Sequence, residues 1–293
     1  MAHLTAPPFH PTDFATPADG RGRSALEAVA AWCVAVGSAL ALVLALGILL
    51  TGGRFFVVET PSMGEAAPVG TLVVVRPVDI GTLHAGDIVT FREPSNPAVT
   101  YTHRLVRVEP DGSLRTRGDI NGAIDPWPLR QDDVIGAPVA LIPILGWICK
   151  AALILLVGGL LVWVLTDRFR DPVTRRSLRV AGSCLVVSYA AFVLKALVNV
   201  VMIGNVVARG SVHATVVSTG ILPTRVQAQG GDGVRLLDGQ VGELHIPQVA
   251  GDGIYRLTAT TDLSPWGWVL VGVICLVPLV WCLRIGHRTE ERS

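Results

Sequence analysis

The chain has 293 residues, 51% of them hydrophobic and 16% charged, with a formal net charge of +1. That apolar share exceeds what a soluble enzyme needs, and so balanced a charge offers no surface to a nucleic-acid partner. The five cysteines, Cys33, Cys149, Cys184, Cys275 and Cys282, all fall in or beside apolar segments without metal-ligand spacing, so they read as small hydrophobes rather than a disulfide framework or a zinc site.

Residues 1–24 are rich in Pro, Thr, Asp and Ala and read as a disordered tail. Arg21 and Arg23 lead into a first span within 25–53, too long for a cleaved signal core and therefore an uncleaved anchor. Over 54–139 the pattern changes to short β-branched runs: Phe55–Val58, Thr71–Val75, Asp87–Phe91 and Val99–Val108, punctuated by Pro, Gly, Asn and Asp. This is the pattern of a small, mostly antiparallel β domain. In the last run Tyr101, His103 and Leu105 share one face, so His103 points with apolar neighbours.

A second span is expected over 140–166, a cytoplasmic loop over 167–179 carrying Arg168, Arg170, Arg175, Arg176 and Arg179, and a third span over 180–207. Residues 208–264 form an outer segment. Turn signals at Gly230–Gly233 and Gly251–Gly253 bracket candidate strands such as His213–Val217 and Gly253–Thr258, which predicts a second small β-rich module. The final segment, 265–293, holds a fourth span and a tail with Arg284, His287 and Arg288. Trp163, Trp266, Trp268 and Trp281 lie near span ends, where interfacial aromatics belong. Arginine placement puts both termini and the 167–179 loop in the cytoplasm and the 54–139 and 208–264 segments outside. The fold class is thus an α+β membrane protein with four transmembrane helices and two outer β segments, multi-pass in the plasma membrane.

Chemistry concentrates in the first outer segment. Ser62 lies in Thr60-Pro61-Ser62-Met63, just past the first span; Thr102-His103-Arg104 follows, then Gly118-Asp119-Ile120-Asn121-Gly122-Ala123-Ile124-Asp125. A serine hydroxyl is a poor nucleophile until a base takes its proton. An imidazole does that near neutral pH, and a carboxylate can fix its tautomer. Asp119 and Asp125 are both candidates for that carboxylate. His84, in the turn after Gly81-Thr82-Leu83, competes with His103, and the two lysines, Lys150 and Lys195, lie at or in apolar segments.

Ser62-Met63 with Pro68-Val69-Gly70, then Gly86-Asp87-Ile88-Val89, His103-Arg104, Gly118-Asp119-Ile120-Asn121 and Val134-Ile135-Gly136, resemble the type I signal peptidase family in order and spacing. The likeness is to its Ser–His branch, known from the endoplasmic reticulum, archaea and some Gram-positive bacteria. It covers roughly residues 30 to 166. Gly64-Glu65 stands where the family usually has x-Pro after Ser-Met.

The resemblance implies Ser62 as nucleophile, His103 as base, Asp125 as the third member and Asp119 in a supporting role. It also implies an oxyanion hole from the Ser62 amide and the Thr60 hydroxyl, since Pro61 has no N–H. No metal or cofactor is implied. The implied partners are signal-peptide-bearing precursors and the lipid bilayer, with a secretion-machinery partner through 208–264 also to be considered. The competing reading is a catalytically silent signal-peptidase-like scaffold that binds partners through its outer segments.

Overall fold

The computed structural model describes residues 25–208, 211–228, 231, 233–246 and 256–290. The tail expected over 1–24 and the Gly251-Asp252-Gly253 turn lie outside them, as do Gly230 and Asp232 of the other turn signal. The chain divides into one unit ending at Leu50 and another beginning at Thr51. The first consists of α1 (Ala25–Leu50), whose Leu40, Leu42 and Leu44 are exposed as on a lipid-facing helix.

In the second unit, β1 (Arg54–Val57), β2 (Leu72–Arg76), β3 (Ile88–Glu93), β4 (Asn96–Val108), β5 (Leu114–Arg117) and β6 (Val134–Ile142) form one sheet in the order β1-β2-β6-β3-β4-β5. Every pairing is antiparallel. The β-branched runs become strands because their side chains pack on a pleated surface that other residues cover. The core is Leu83, Val89, Phe91, Leu105, Leu114 and Leu129. The β3–β4 register pairs Phe91 with Tyr101 and Val89 with His103. Directly opposed residues share a face, so the register carries His103 to the apolar side of the sheet.

α2 (Leu145–Thr166) and α3 (Pro172–Leu194) are long and apolar enough to cross a membrane. In α1 and in α4 (Pro265–Glu290), the apolar stretches found among the described residues are shorter, Ala35–Leu50 and Pro265–Val277. Two helices rather than four therefore meet that test. α2 and α3 pack antiparallel: a Cβ on Gly158 would strike Val186, and one on Gly182 would strike Val162. Small residues let two apolar helices approach where no hydrophobic gain drives them together. Asp171 caps the start of α3, accepting from the amides of Val173 and Thr174, and Pro172 occupies the first turn.

The run expected to cross the membrane over 180–207 divides instead. α3 ends at Leu194, Lys195 takes a left-handed conformation with φ 49°, and Val200–Ala208 is a strand, β7. Val198, Val200, Val201, Val206 and Val207 are apolar enough for a helix to span with, yet β-branched residues favour extended chain, and β8 (Ser211–Ser218) pairs with Val200–Ala208 on both sides of a register shift at Ile203. The second β module therefore begins before residue 208. Likewise β6 continues to Ile142, and α2 starts at Leu145 rather than at 140.

β9 (Thr224–Ala228), β10 (Gly233–Leu236), β11 (Val241–Ile246) and β12 (Leu257–Thr261) complete the module as two three-stranded sheets, β11-β8-β7 and β10-β9-β12. Burial alternates along β9 and β11, and their inward residues meet across the sheets: Val216, Val226, Leu236 and Leu244 form one cluster, Val212, Ala214, Ala228 and Ile246 another.

The turn between β10 and β11 contains Asp238, whose carboxyl burial pushes up to about 6 and whose Oδ1 has no partner. A raised acid contributes stability when protonated, so the module should weaken as pH rises from about 4 through 6. The side chain is partly exposed and screened, which leaves about 1 kcal/mol of the effect. Asp238→Asn should accordingly raise Tm at pH 7.5 by a few degrees and flatten the Tm–pH curve between 4 and 6. An unchanged curve would contradict the burial argument.

Candidate active site

Ser62 sits in a 3-10 turn, Pro61–Ala66, which Thr60 enters in extended conformation and Pro61 starts. Its Oγ lies 3.0 Å from His103 Nε2, and His103 Nδ1 lies 2.8 Å from Asp125 Oδ2. The same carboxylate oxygen accepts from Thr116 Oγ1 at 2.6 Å, and the Asp125 amide donates to the Thr116 carbonyl at 2.8 Å. With Oδ2 accepting, Nδ1 carries the hydrogen and Nε2 is left as the acceptor for the Ser62 hydroxyl. His103 and Asp125 are 3% and 8% exposed, so these contacts operate away from bulk water. Phe91 meets the imidazole edge-on at 6.0 Å and Tyr101 lies 5.3 Å from it, limiting the ring's rotation. The Tyr101 hydroxyl is itself pushed upward in pKa, first by burial and then by Glu93 and Asp125.

Asp119 takes a different place. Its two oxygens accept from Arg104 Nε at 2.8 Å and Nη2 at 2.7 Å, while Arg104 Nη1 donates to the Gly86 carbonyl at 2.9 Å. This fork holds the 118–121 loop to β4. The loop in turn braces Ser62: the Ile120 amide donates to the Ser62 carbonyl at 3.1 Å, and a Cβ on Gly118 would come within 2.7 Å of that same oxygen. Of the two candidate carboxylates, the structure brings Asp125 to His103 and Asp119 to Arg104.

Thr60 Oγ1 is 3.5 Å from Ser62 Oγ. His84 lies in the turn before β3, its amide bound to Asp87 Oδ2. Lys150 reaches the groove containing Ser62 from α2, but its Nζ is bound to Glu59 at 2.6 Å. Among the described residues no cluster of three or more His, Cys, Asp or Glu side chains is arranged to hold a metal.

Two cavities meet at Ser62. One, about 670 Å³, runs between Phe55–Thr60 and Ala98–Thr102. The other, about 640 Å³, is walled by His103, the 120–126 loop and two residues of the second β module, Val201 and Ile203. The module also seats its β10–β11 turn on the loop that carries Ser62. Gly64 has φ 52° and Gly239 φ 76°, and a Cβ on Gly239 would fall 2.6 Å from the Gly64 carbonyl oxygen. That accounts for the glycine at position 64: φ lies in the left-handed region, and a Cβ there would come within 2.7 Å of Ile120 Cγ2.

Thr116, Arg104, Val201 and Ile203 were not singled out as site residues from the sequence. Arg104 stands beside His103 in the motif, but Thr116 and Val201 carry no local signal, since each reaches the site through strand pairing.

The model of the family described as signal peptidase, peptidase S26, matches residues 29–116. Signal peptidase I W of Bacillus subtilis (strain 168) is 35% identical over 77 residues, which cover 25% of this chain and 40% of that relative's length. No solved structure matches. Residues 29–116, which hold most of α1 and of the first β domain, are thus similar to the signal peptidase family, and the chain spans about 40% of the length of the curated relative it matches. The family match includes Ser62 and His103 and ends before Asp119 and Asp125.

Proposed function

We propose that this protein is a membrane-bound serine endopeptidase that removes signal peptides from exported precursors by Ser–His–Asp catalysis on the outer face of the membrane. The observation that carries the reading is the buried hydrogen-bonded chain Ser62–His103–Asp125 at the junction of two cavities.

Ser62 Oγ attacks the scissile carbonyl as its proton passes to His103 Nε2, and Asp125 holds the imidazolium through Nδ1–H. The Ser62 amide and the Thr60 hydroxyl receive the oxyanion. Collapse of the tetrahedral intermediate breaks the C–N bond, and His103 returns the proton to the leaving amine. Water then gives its proton to His103 and attacks the Ser62 ester; the C–Oγ bond breaks, His103 passes that proton to Ser62 Oγ, and the carboxyl product leaves with both residues restored. The groove between Phe55–Thr60 and Ala98–Thr102 suits the acyl part of an extended substrate, lying beside the strands with pockets for alternate side chains.

The α2–α3 pair supports this topology. An antiparallel hairpin returns the chain to the end it left, so the first β domain and the outer module share one side. Arg168 and Arg170 in the turn between these helices mark the cytoplasmic side. We assign α1 and α4 as further spans on the same scheme.

The test is to incubate the full chain in proteoliposomes with a precursor carrying Ala-x-Ala before the expected cut, and to map the product by mass spectrometry. One cut after the second alanine, lost when bulky residues replace the alanines, is expected. Scattered cuts would exclude the signal-peptidase reading.

A further inference from the structure

Resting on the peptidase reading above, we infer that strand β7 of the outer module forms the wall of the subsite for the leaving part of the substrate, making Val201 and Ile203 determinants of which residue is accepted just after the scissile bond. Four observations converge on it.

The first is direction. His103 returns a proton to the leaving amine, so the chain attached to that amine departs on the His103 side of Ser62. The cavity walled by His103 and Asp125 is therefore the leaving side, and the groove along β1 and β4, which lacks both, takes the acyl side. Val201 and Ile203 line only the former.

The second is the strand itself. β7 is the edge of its sheet, and its register to β8 shifts between Met202 and Gly204. Such a bulge leaves Ile203 as the extra residue and re-aims its side chain, a device found beside functional sites. The third is exposure. Val201 and Ile203 remain 37% and 40% exposed while the module buries its inward-facing residues in its own core. These apolar side chains face a cavity rather than complete the sandwich.

The fourth is attachment. The close approach of Gly239 to Gly64 fixes the module to the loop that carries Ser62, so β7 is held in register with the nucleophile. The polypeptide chemistry that fits is a small or medium apolar residue after the scissile bond. A charged one would lose its hydration against Val201 and Ile203 without gaining a partner.

The experiment uses the full chain in detergent or proteoliposomes and precursor peptides differing only in the residue after the cut: Ala, Phe, Trp, Lys or Asp. Val201→Ala/Ile203→Ala should raise kcat/KM for the Phe and Trp peptides about 10-fold relative to the Ala peptide, the scale on which apolar pockets discriminate size. Ile203→Glu should favour Lys over Asp about 10-fold more than the parent does. Preference for the residue before the cut should not move in either variant.

Unchanged ratios in both variants, with cleavage retained, would overturn this inference and leave the peptidase reading standing. Loss of all cleavage in both would make β7 a brace rather than a wall and would also overturn it. If the parent protein cleaves no peptide in a Ser62-dependent manner, the peptidase reading falls, and this inference falls with it.

Discussion

His103→Ala should lower kcat/KM for a precursor peptide by about 10³-fold or more, and adding Ser62→Ala should cost little further. Among the described residues, the imidazole is the only side chain within hydrogen-bonding distance of Ser62 Oγ besides the Thr60 hydroxyl, and a threonine cannot take the proton at neutral pH. Lys150 cannot stand in for it, since it is held by Glu59, and Lys150→Arg should retain activity. Removing His103 also leaves the Asp125 carboxylate buried with Thr116 as its remaining side-chain partner. Some loss of stability should therefore accompany the loss of rate, and activity must be read per folded molecule. Near-normal cleavage by His103→Ala would end the Ser–His assignment.

The second large effect separates the two aspartates. Asp125→Asn should lower kcat about 10³–10⁴-fold, because an amide facing Nδ1 stabilises the tautomer with its hydrogen on Nε2, where it cannot accept from Ser62. Asp119→Asn should cost less than about 10-fold. It leaves one acceptor for Arg104, and the pair it weakens is partly solvent-exposed, at 37% and 26%, where ion pairs contribute about 1 kcal/mol or less. Steady-state kinetics on both variants, with thermal melts alongside, read the difference. A larger loss from Asp119→Asn than from Asp125→Asn would reverse the roles.

Much of the first β domain was legible in the sequence because its strands are short β-branched runs bounded by turn residues. Phe55–Val58 and Asp87–Phe91 fall within a residue or two of β1 and β3. The face shared by Tyr101, His103 and Leu105 followed from two-residue periodicity alone, and the structure has them on the core side of β4. What periodicity does not carry is which distant residue stands opposite. Asp125 and Asp119 were equivalent on the residues alone; the β4–β5 pairing and the return of the chain at Thr116 bring one to His103 and send the other to Arg104.

The third apolar run shows the limit of hydropathy. Val200–Ala208 is as apolar as a span, and only the partner strand β8 decides that it is extended. Gly64 is a similar case. In the sequence it stands at the x of the family's x-Pro, and its reason, a φ of 52° beneath Ile120 Cγ2, exists only in three dimensions.

The most direct test of the central claim is single-turnover cleavage of one precursor by the purified full chain and by Ser62→Ala, in proteoliposomes of the same composition. A defined signal-peptide fragment is expected from the parent, with a rate lower by at least about 10³-fold from Ser62→Ala at unchanged Tm. Equal cleavage by the two proteins would contradict it.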